Sequence, residues 1–299
     1  MVIYFSKLNL VSDHVYNVYE DESNLRKYLN FLFTDLKDGT IFTRTDSYFE
    51  NDEVVTSSIE YKLKIRRIKD FCIDGVIYKE SKIYYKQLNS EDELIRKAVP
   101  NIEAIRFYLD VFKETVGFHT TNRFGYQEFN YAFAGIVNNA MKVCDRDLRF
   151  NIALRTEGIE MQEIYKHLKQ INQIKELKIK MQPPNPDSEI INAMQNAGEN
   201  VINSMENGNI TGMSFVFTSK GTNGLNLNSK ILQENLEKVE ALSEVIGDKK
   251  AISKGYVSVE ATGKNGKKYT TAEQRPLKTV IERTEEFFDA CKSIIDGIL

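Results

Sequence analysis

The feature that most constrains this chain is a period-two ladder at residues 59–66. There Ile59, Tyr61, Leu63 and Ile65 alternate with Glu60, Lys62, Lys64 and Arg66. Successive side chains of a strand point to opposite faces, so such a strand turns one face to a core and the other to water. A half-buried strand needs partners, and the run Val76–Tyr85 offers one just beyond the dipeptide Asp74-Gly75. Asp-Gly between strand-like runs predicts a hairpin, because a type I′ turn needs positive φ at both central residues. Residues 2–10 read as a further strand. Residues 22–36 read as an amphipathic helix with Leu25, Tyr28, Leu29, Leu32 and Phe33 on one face. Residues 1–100 are therefore expected to form an N-terminal antiparallel hairpin sheet with a helix. A short helix over 91–102 and a junction at Pro100-Asn101 would close that region.

Residues 101–299 are expected to form a second region. Strands around Ile105–Val111 and Val116–Phe118 precede a helix over 126–143, a strand at Phe150–Leu154, a helix over 160–172 and a strand at Leu177–Met181. This β-β-α-β-α-β order with short connections predicts a ferredoxin-like open sandwich, so the fold class is α+β. A C-terminal extension follows: a helix over 188–206 capped by Asp187 or Ser188, a strand at 214–218 and a helix over 229–246. A hairpin about Asn265-Gly266 and a closing helix over 276–297 complete it. The apolar stripes of helices 188–206 and 229–246 could pack on another chain, although a core of their own protein is the favoured account of them.

The chemistry visible in the sequence is a strip of cations. Lys62, Lys64, Arg66, Arg67 and Lys69 lie on or beside the ladder, and Lys79, Lys82 and Lys86 lie on its partner, interleaved with Tyr78, Tyr84 and Tyr85. Cations on a sheet face neutralise phosphates, and tyrosine rings stack on unpaired bases, so this strip is the candidate nucleic-acid surface. Glu60 and Glu80 interrupt its field. An ordinary solvated sheet face is the plain alternative. A second polar group, His119, Arg123 and Arg155 with Asn151, has the donors for a phosphate or carboxylate ligand, or for structural hydrogen bonds at a sheet edge.

Several other chemistries find no support. His14, His119 and His167 have no metal-ligand spacing with each other or with Cys72, Cys144 and Cys291, so no metal and no cofactor is expected. Gly-x-Gly-x-x-Gly, a phosphate loop and a Gly-x-Ser-x-Gly elbow are absent from the sequence. Metal-dependent nucleases of one kind pair an acid with a Glu-x-Lys triplet. Glu60-Tyr61-Lys62 preceded by Asp46 or Asp52 has that form. However, an acid two residues before a lysine occurs at five places, against about four expected by chance from the composition. The formal net charge of −3, from 40 cations and 43 anions, points to no polyanionic or membrane partner by itself. With no leader-like N-terminus, no long apolar run and three scattered cysteines, a cytoplasmic location is expected.

The stretches Ala104–Val111, Lys178–Asp187 and Gly255–Gly266 resemble, in order and spacing, uncharacterised bacterial proteins grouped as domains of unknown function. Such proteins are often carried on mobile elements or beside phage-defence genes. The resemblance implies a prokaryotic anti-phage defence component that binds nucleic acid, a phage protein or a partner protein. A nuclease effector and a non-catalytic oligomeric assembly protein are the other readings. It carries over no site residues.

Overall fold

The computed structural model describes residues 1–50, 53–88, 94–185, 201–247, 249–282 and 286–298. The chain divides into two compact units, each drawn from separate stretches. Unit 1 comprises Met1–Ile3, Leu32–Arg146 and Val280–Leu299, and unit 2 comprises Tyr4–Phe31 and Asp147–Thr279. The division does not fall at the expected junction. Pro100 and Asn101 lie inside a strand, β5 (Leu94–Asp110), opposite Lys82 and Ser81 of β4 (Cys72–Leu88). The expected helix over 91–102 is thus strand from Leu94 onward. Pro100 is a poor helix-interior residue but is tolerated in a strand whose other edge is unpaired there among the described residues.

Unit 1 is built on an antiparallel path in the order β2 (Ile41–Glu50), β3 (Glu53–Lys69), β4, β5 and β6 (Thr115–Phe118). The turn joining β3 to β4 is at Asp70-Phe71, with φ of 52° and 61°, and not at Asp74-Gly75. Phe71 is an uncommon residue for positive φ. Its ring packs on Phe112 and Phe33, with centroids 4.4 and 5.0 Å away, which gives that backbone a reason to hold. Gly75 serves a different purpose from the expected one. A Cβ there would lie 2.8 Å from the Lys64 carbonyl oxygen and from the Phe107 ring. Opposite it, a bulge between Ile65 and Arg67 shifts the register of β3.

Helix α3 (Tyr126–Val143) covers one face of the sheet. Phe129 stacks on Phe118 at 3.9 Å and Phe133 meets Phe107 at 5.0 Å. Helix α8 (Phe287–Ile298) covers the base of the opposite face, where Phe288 meets Tyr108 edge-on at 5.0 Å. The closing helix is therefore shorter than expected. Pro276 precedes a short strand, β12 (Lys278–Val280), and the helix begins only at Phe287.

In unit 2, the part of β1 (Val2–Leu10) from Tyr4 onward pairs antiparallel with β7 (Phe150–Leu154), from Ser6 opposite Leu154 to Leu10 opposite Phe150. A separate four-stranded sheet runs β11 (Lys268–Thr270), β10 (Val257–Gly263), β8 (Ile174–Met181), β9 (Met213–Thr218). Gly266, with φ of 76°, makes the expected hairpin turn between β10 and β11. Its helices include α1 (His14–Glu20), α4 (Met161–Gln170), α5 (Val201–Asn207), α6 (Lys230–Ile246) and α7 (Lys250–Ser253). Helix α2 (Ser23–Asp35) matches the expected amphipathic segment. The stripe Leu232, Leu236, Val239 and Leu242 of α6 is buried against Ile164, Leu168, Leu177 and Ile179, so it is spent within its own core. Only the end of the expected helix 188–206 is α5; its start and the proposed caps lie outside the described residues.

The elements of the expected ferredoxin-like sandwich are present, but they do not share one sheet. β8 pairs with β9 and β10 in the four-stranded sheet, to which β5, β6 and β7 do not belong. Alternation identifies a strand without naming its partner, and here strands distant in sequence supply the partners. The fold is mixed α+β around a large antiparallel sheet. Among the described residues, no helix is long and apolar enough to cross a membrane.

Candidate nucleic-acid interface

The strands of unit 1 determine which cations share a surface. Directly opposed residues of an antiparallel pair lie on the same face. Lys62 opposes Tyr78, Lys64 opposes Val76 and Glu60 opposes Glu80. Across the next ladder, Tyr78 opposes Ala104, Lys82 opposes Pro100, Tyr84 opposes Ala98 and Lys86 opposes Arg96. One face therefore carries Lys62, Lys64, Tyr78, Lys82, Tyr84 and Lys86, and all six are exposed. Each tyrosine on this face stands across β5 from an alanine. Alanine is too small to cover much of a ring from across the ladder. From Tyr78 to Tyr84 is roughly 20 Å at the rise of an antiparallel strand, which is a platform several nucleotides long.

The remaining cations of the strip have other fates. Lys79 points to the opposite, core face and is buried. Its Nζ donates to Glu128 Oε2 at 2.8 Å and to the Arg123 carbonyl at 2.9 Å, and Glu128 Oε1 also accepts from Tyr61 OH at 2.7 Å. Burial, with Glu128 beside it, pushes the Tyr61 hydroxyl pKa well up. Arg66 is the exposed bulge residue. Arg67 is held at the sheet base, paired with Glu286 at 2.7 Å and lying over the Phe288 ring at 4.3 Å. Arg106 is held beside it by both oxygens of Asp74, at 3.0 and 2.8 Å, and lies over Phe287 at 4.7 Å. Lys69 is exposed next to the Asp70-Phe71 turn. Lys64 is paired with Asp38 at 2.7 Å, and this hydrogen bond lowers the carboxyl pKa and raises that of the ammonium. Among the described residues, Lys62, Arg66, Lys82 and Lys86 form no ion pair. These four are the field the face offers a polyanion.

Glu60 and Glu80 directly oppose each other on this face, an arrangement that costs stability. Each has a lysine of the strip on its diagonal, Lys82 for Glu60 and Lys62 for Glu80. Asp46 does not join them. It opposes Ser57 on the other face and pairs with Arg44 at 2.9 Å, so the acid and the Glu60-x-Lys62 triplet lie on opposite sides of the sheet. Asp52 lies outside the described residues. Among the described residues, no group of three His, Cys, Asp or Glu side chains could hold a metal ion.

The second polar group is dispersed. His119 Nε2 accepts the Arg106 backbone N–H at 3.1 Å, so it is the unprotonated ring nitrogen, and burial lowers the ring pKa. Arg123 is exposed. Arg155 belongs to unit 2 and is buried. Sequence reasoning missed Asp38, Glu128 and Phe287-Phe288, because each reaches the strip from a distant segment. It missed Ala98 because 91–102 reads as helix.

The family model described as "Domain of unknown function (DUF4747)" matches residues 72–298, three-quarters of the chain. The chain belongs to the DUF4747 family. No curated protein matches the sequence. The family description names no reaction, so function has to be argued from the site itself.

Proposed function

We propose that the exposed face of β3, β4 and β5 binds single-stranded nucleic acid. The observation that carries this is the alternation of tyrosines over alanines with lysines that form no ion pair among the described residues: Tyr78 over Ala104, Tyr84 over Ala98, and Lys62, Lys82 and Lys86 between and beyond them. Bases stack on such rings whatever their identity, and the cations follow the phosphates. The resemblance of the sequence to proteins near phage-defence genes supports placing this binding in prokaryotic anti-phage defence. Fluorescence polarisation of a labelled single-stranded 20-mer at low salt tests the reading. Binding should weaken with salt, with a log–log slope of about −3 if some four phosphates are neutralised. Lys82→Glu with Lys86→Glu should cut affinity at least tenfold at unchanged Tm. Undetectable binding, or binding indifferent to that double variant, sinks the proposal.

A protein partner or a second copy of the chain is the other reading, and a specific feature favours it. Beyond Glu60 and Glu80, β3 continues only with β2, and β4 only with β5, leaving open strand edges among the described residues. Leu94 and Ile102 on the β4–β5 ribbon are each 65% exposed. Open edges accept an added strand. A light-scattering mass equal to the monomer at high micromolar concentration would remove the second-copy form of this reading.

A further inference from the structure

Unit 2 contains a buried cation that lacks a counter-ion among the described residues. Arg155 directly follows β7. Its N–H donates to the Phe5 carbonyl at 2.8 Å, and its carbonyl accepts from Leu277 N–H at 2.8 Å, so the backbone is fixed on both sides. The residue is only 8% exposed, and its Nε and Nη1 are buried without a hydrogen-bond partner. Buried charges are ordinarily paired. Arg106 in unit 1 shows the contrast: its partner Asp74 raises its pKa, whereas burial lowers that of Arg155, opposed only by Tyr256.

The surroundings are polar and incompletely satisfied. Strand alternation puts Arg155 on the same face of β7 as Ala153 and Asn151; Asn9 of β1 stands opposite Asn151, four residues along the strand from Arg155. The loop Lys254-Gly255-Tyr256 lies on this face. Gly255, with φ of 77°, sits directly on Ala153, and Asn9 Nδ2 donates to the Lys254 carbonyl at 2.9 Å. Gln182 donates its backbone N–H to the Tyr256 carbonyl at 2.9 Å. Among the described residues, Asn9 Oδ1 and Gln182 Nε2 are also buried without partners. A buried guanidinium with two unpartnered nitrogens is what an oxyanion would complete.

We propose that Arg155 anchors a buried oxyanion site in unit 2, which takes the carboxylate or phosphate group of a small ligand. The planar guanidinium provides the fork that such a group recognises.

The full chain is titrated with sodium phosphate and, separately, with sodium acetate, at ionic strength held constant with chloride. Calorimetry and Tm are read for the wild type, Arg155→Gln and Arg155→Lys. A saturable response to at least one anion is expected, with Tm rising by roughly 5 °C near 100-fold excess over Kd. A phosphate response assigns a phosphate ester and an acetate response a carboxylate. Arg155→Gln should abolish the response and raise the ligand-free Tm, because it removes a buried unpaired charge. Arg155→Lys retains the charge without the fork and should weaken binding at least tenfold. The proposal is overturned if the wild type shows no saturable response, as would follow if an acidic residue of the chain were the counter-ion. It is equally overturned if Arg155→Gln responds like the wild type, which would mean an adventitious ion only.

Discussion

The two halves of β4 run along the same partner, β5, yet they differ completely in exposure. From Cys72 to Lys79 every residue but Tyr78 is buried, whereas from Glu80 to Leu88 none is. Hydrogen bonding to β5 is continuous across both halves. The difference lies in the layers beside it: β3, α3 and α8 flank the base, and β3 departs at Glu60. Strand pairing alone does not make a core. A two-stranded ribbon leaves both faces wet, which costs stability at Ile102 and Leu94 but leaves a surface for binding.

This contrast can be broken from the base outward. Lys79→Met should cost the most, about 3–5 kcal/mol by urea unfolding, because Glu128 is left without its ammonium partner. A Lys79→Met, Glu128→Gln double variant should recover part of that loss. Gly75→Ala is expected to cost about 1–3 kcal/mol, since its Cβ meets the Lys64 carbonyl and the Phe107 ring. On the ribbon, Tyr84→Ser should change stability by no more than about 0.5 kcal/mol while weakening single-strand binding about tenfold. If Tyr84→Ser unfolds as readily as Gly75→Ala, the ribbon is structural and the contrast collapses.

The smallest effect is in pH. Burial lowers the His119 pKa below its ordinary 6.5, so the folded state favours the neutral ring that accepts the Arg106 N–H. That stabilisation is complete above pH 6.5 and is lost as pH falls through the lowered folded value. His119→Gln keeps an acceptor without a titrating ring. Its unfolding midpoint should therefore fall less steeply than that of the wild type below pH 6.5. Parallel curves would show that His119 contributes nothing to acid sensitivity.

How much of this was legible depended on the range of the interaction. The β3 ladder, α2, α3 and the Asn265-Gly266 hairpin follow from local patterns and stand where the sequence puts them. Lys79 shares the parity of Ile77 and Ile83, so its place on the core face could have been read. Its partner Glu128, 49 residues away, could not. Arg67 shows the reverse failure. Simple alternation groups it with Ile65, but the bulge at Arg66 turns it to the face of Lys64, where α8 receives it. Strand partners were the least legible, because β7 and β8 find theirs in β1 and β10, outside the run that suggested a single sandwich.

The cover that α8 places over Arg67 and Arg106 has a consequence for biosynthesis. The strands carrying those arginines end by Phe118, and Phe287 is made about 170 residues later, some ten to thirty seconds at ordinary elongation rates. Throughout that interval the nascent sheet presents Arg67, Arg106 and Tyr108 uncovered, so unit 1 can complete its folding only when its last helix leaves the ribosome.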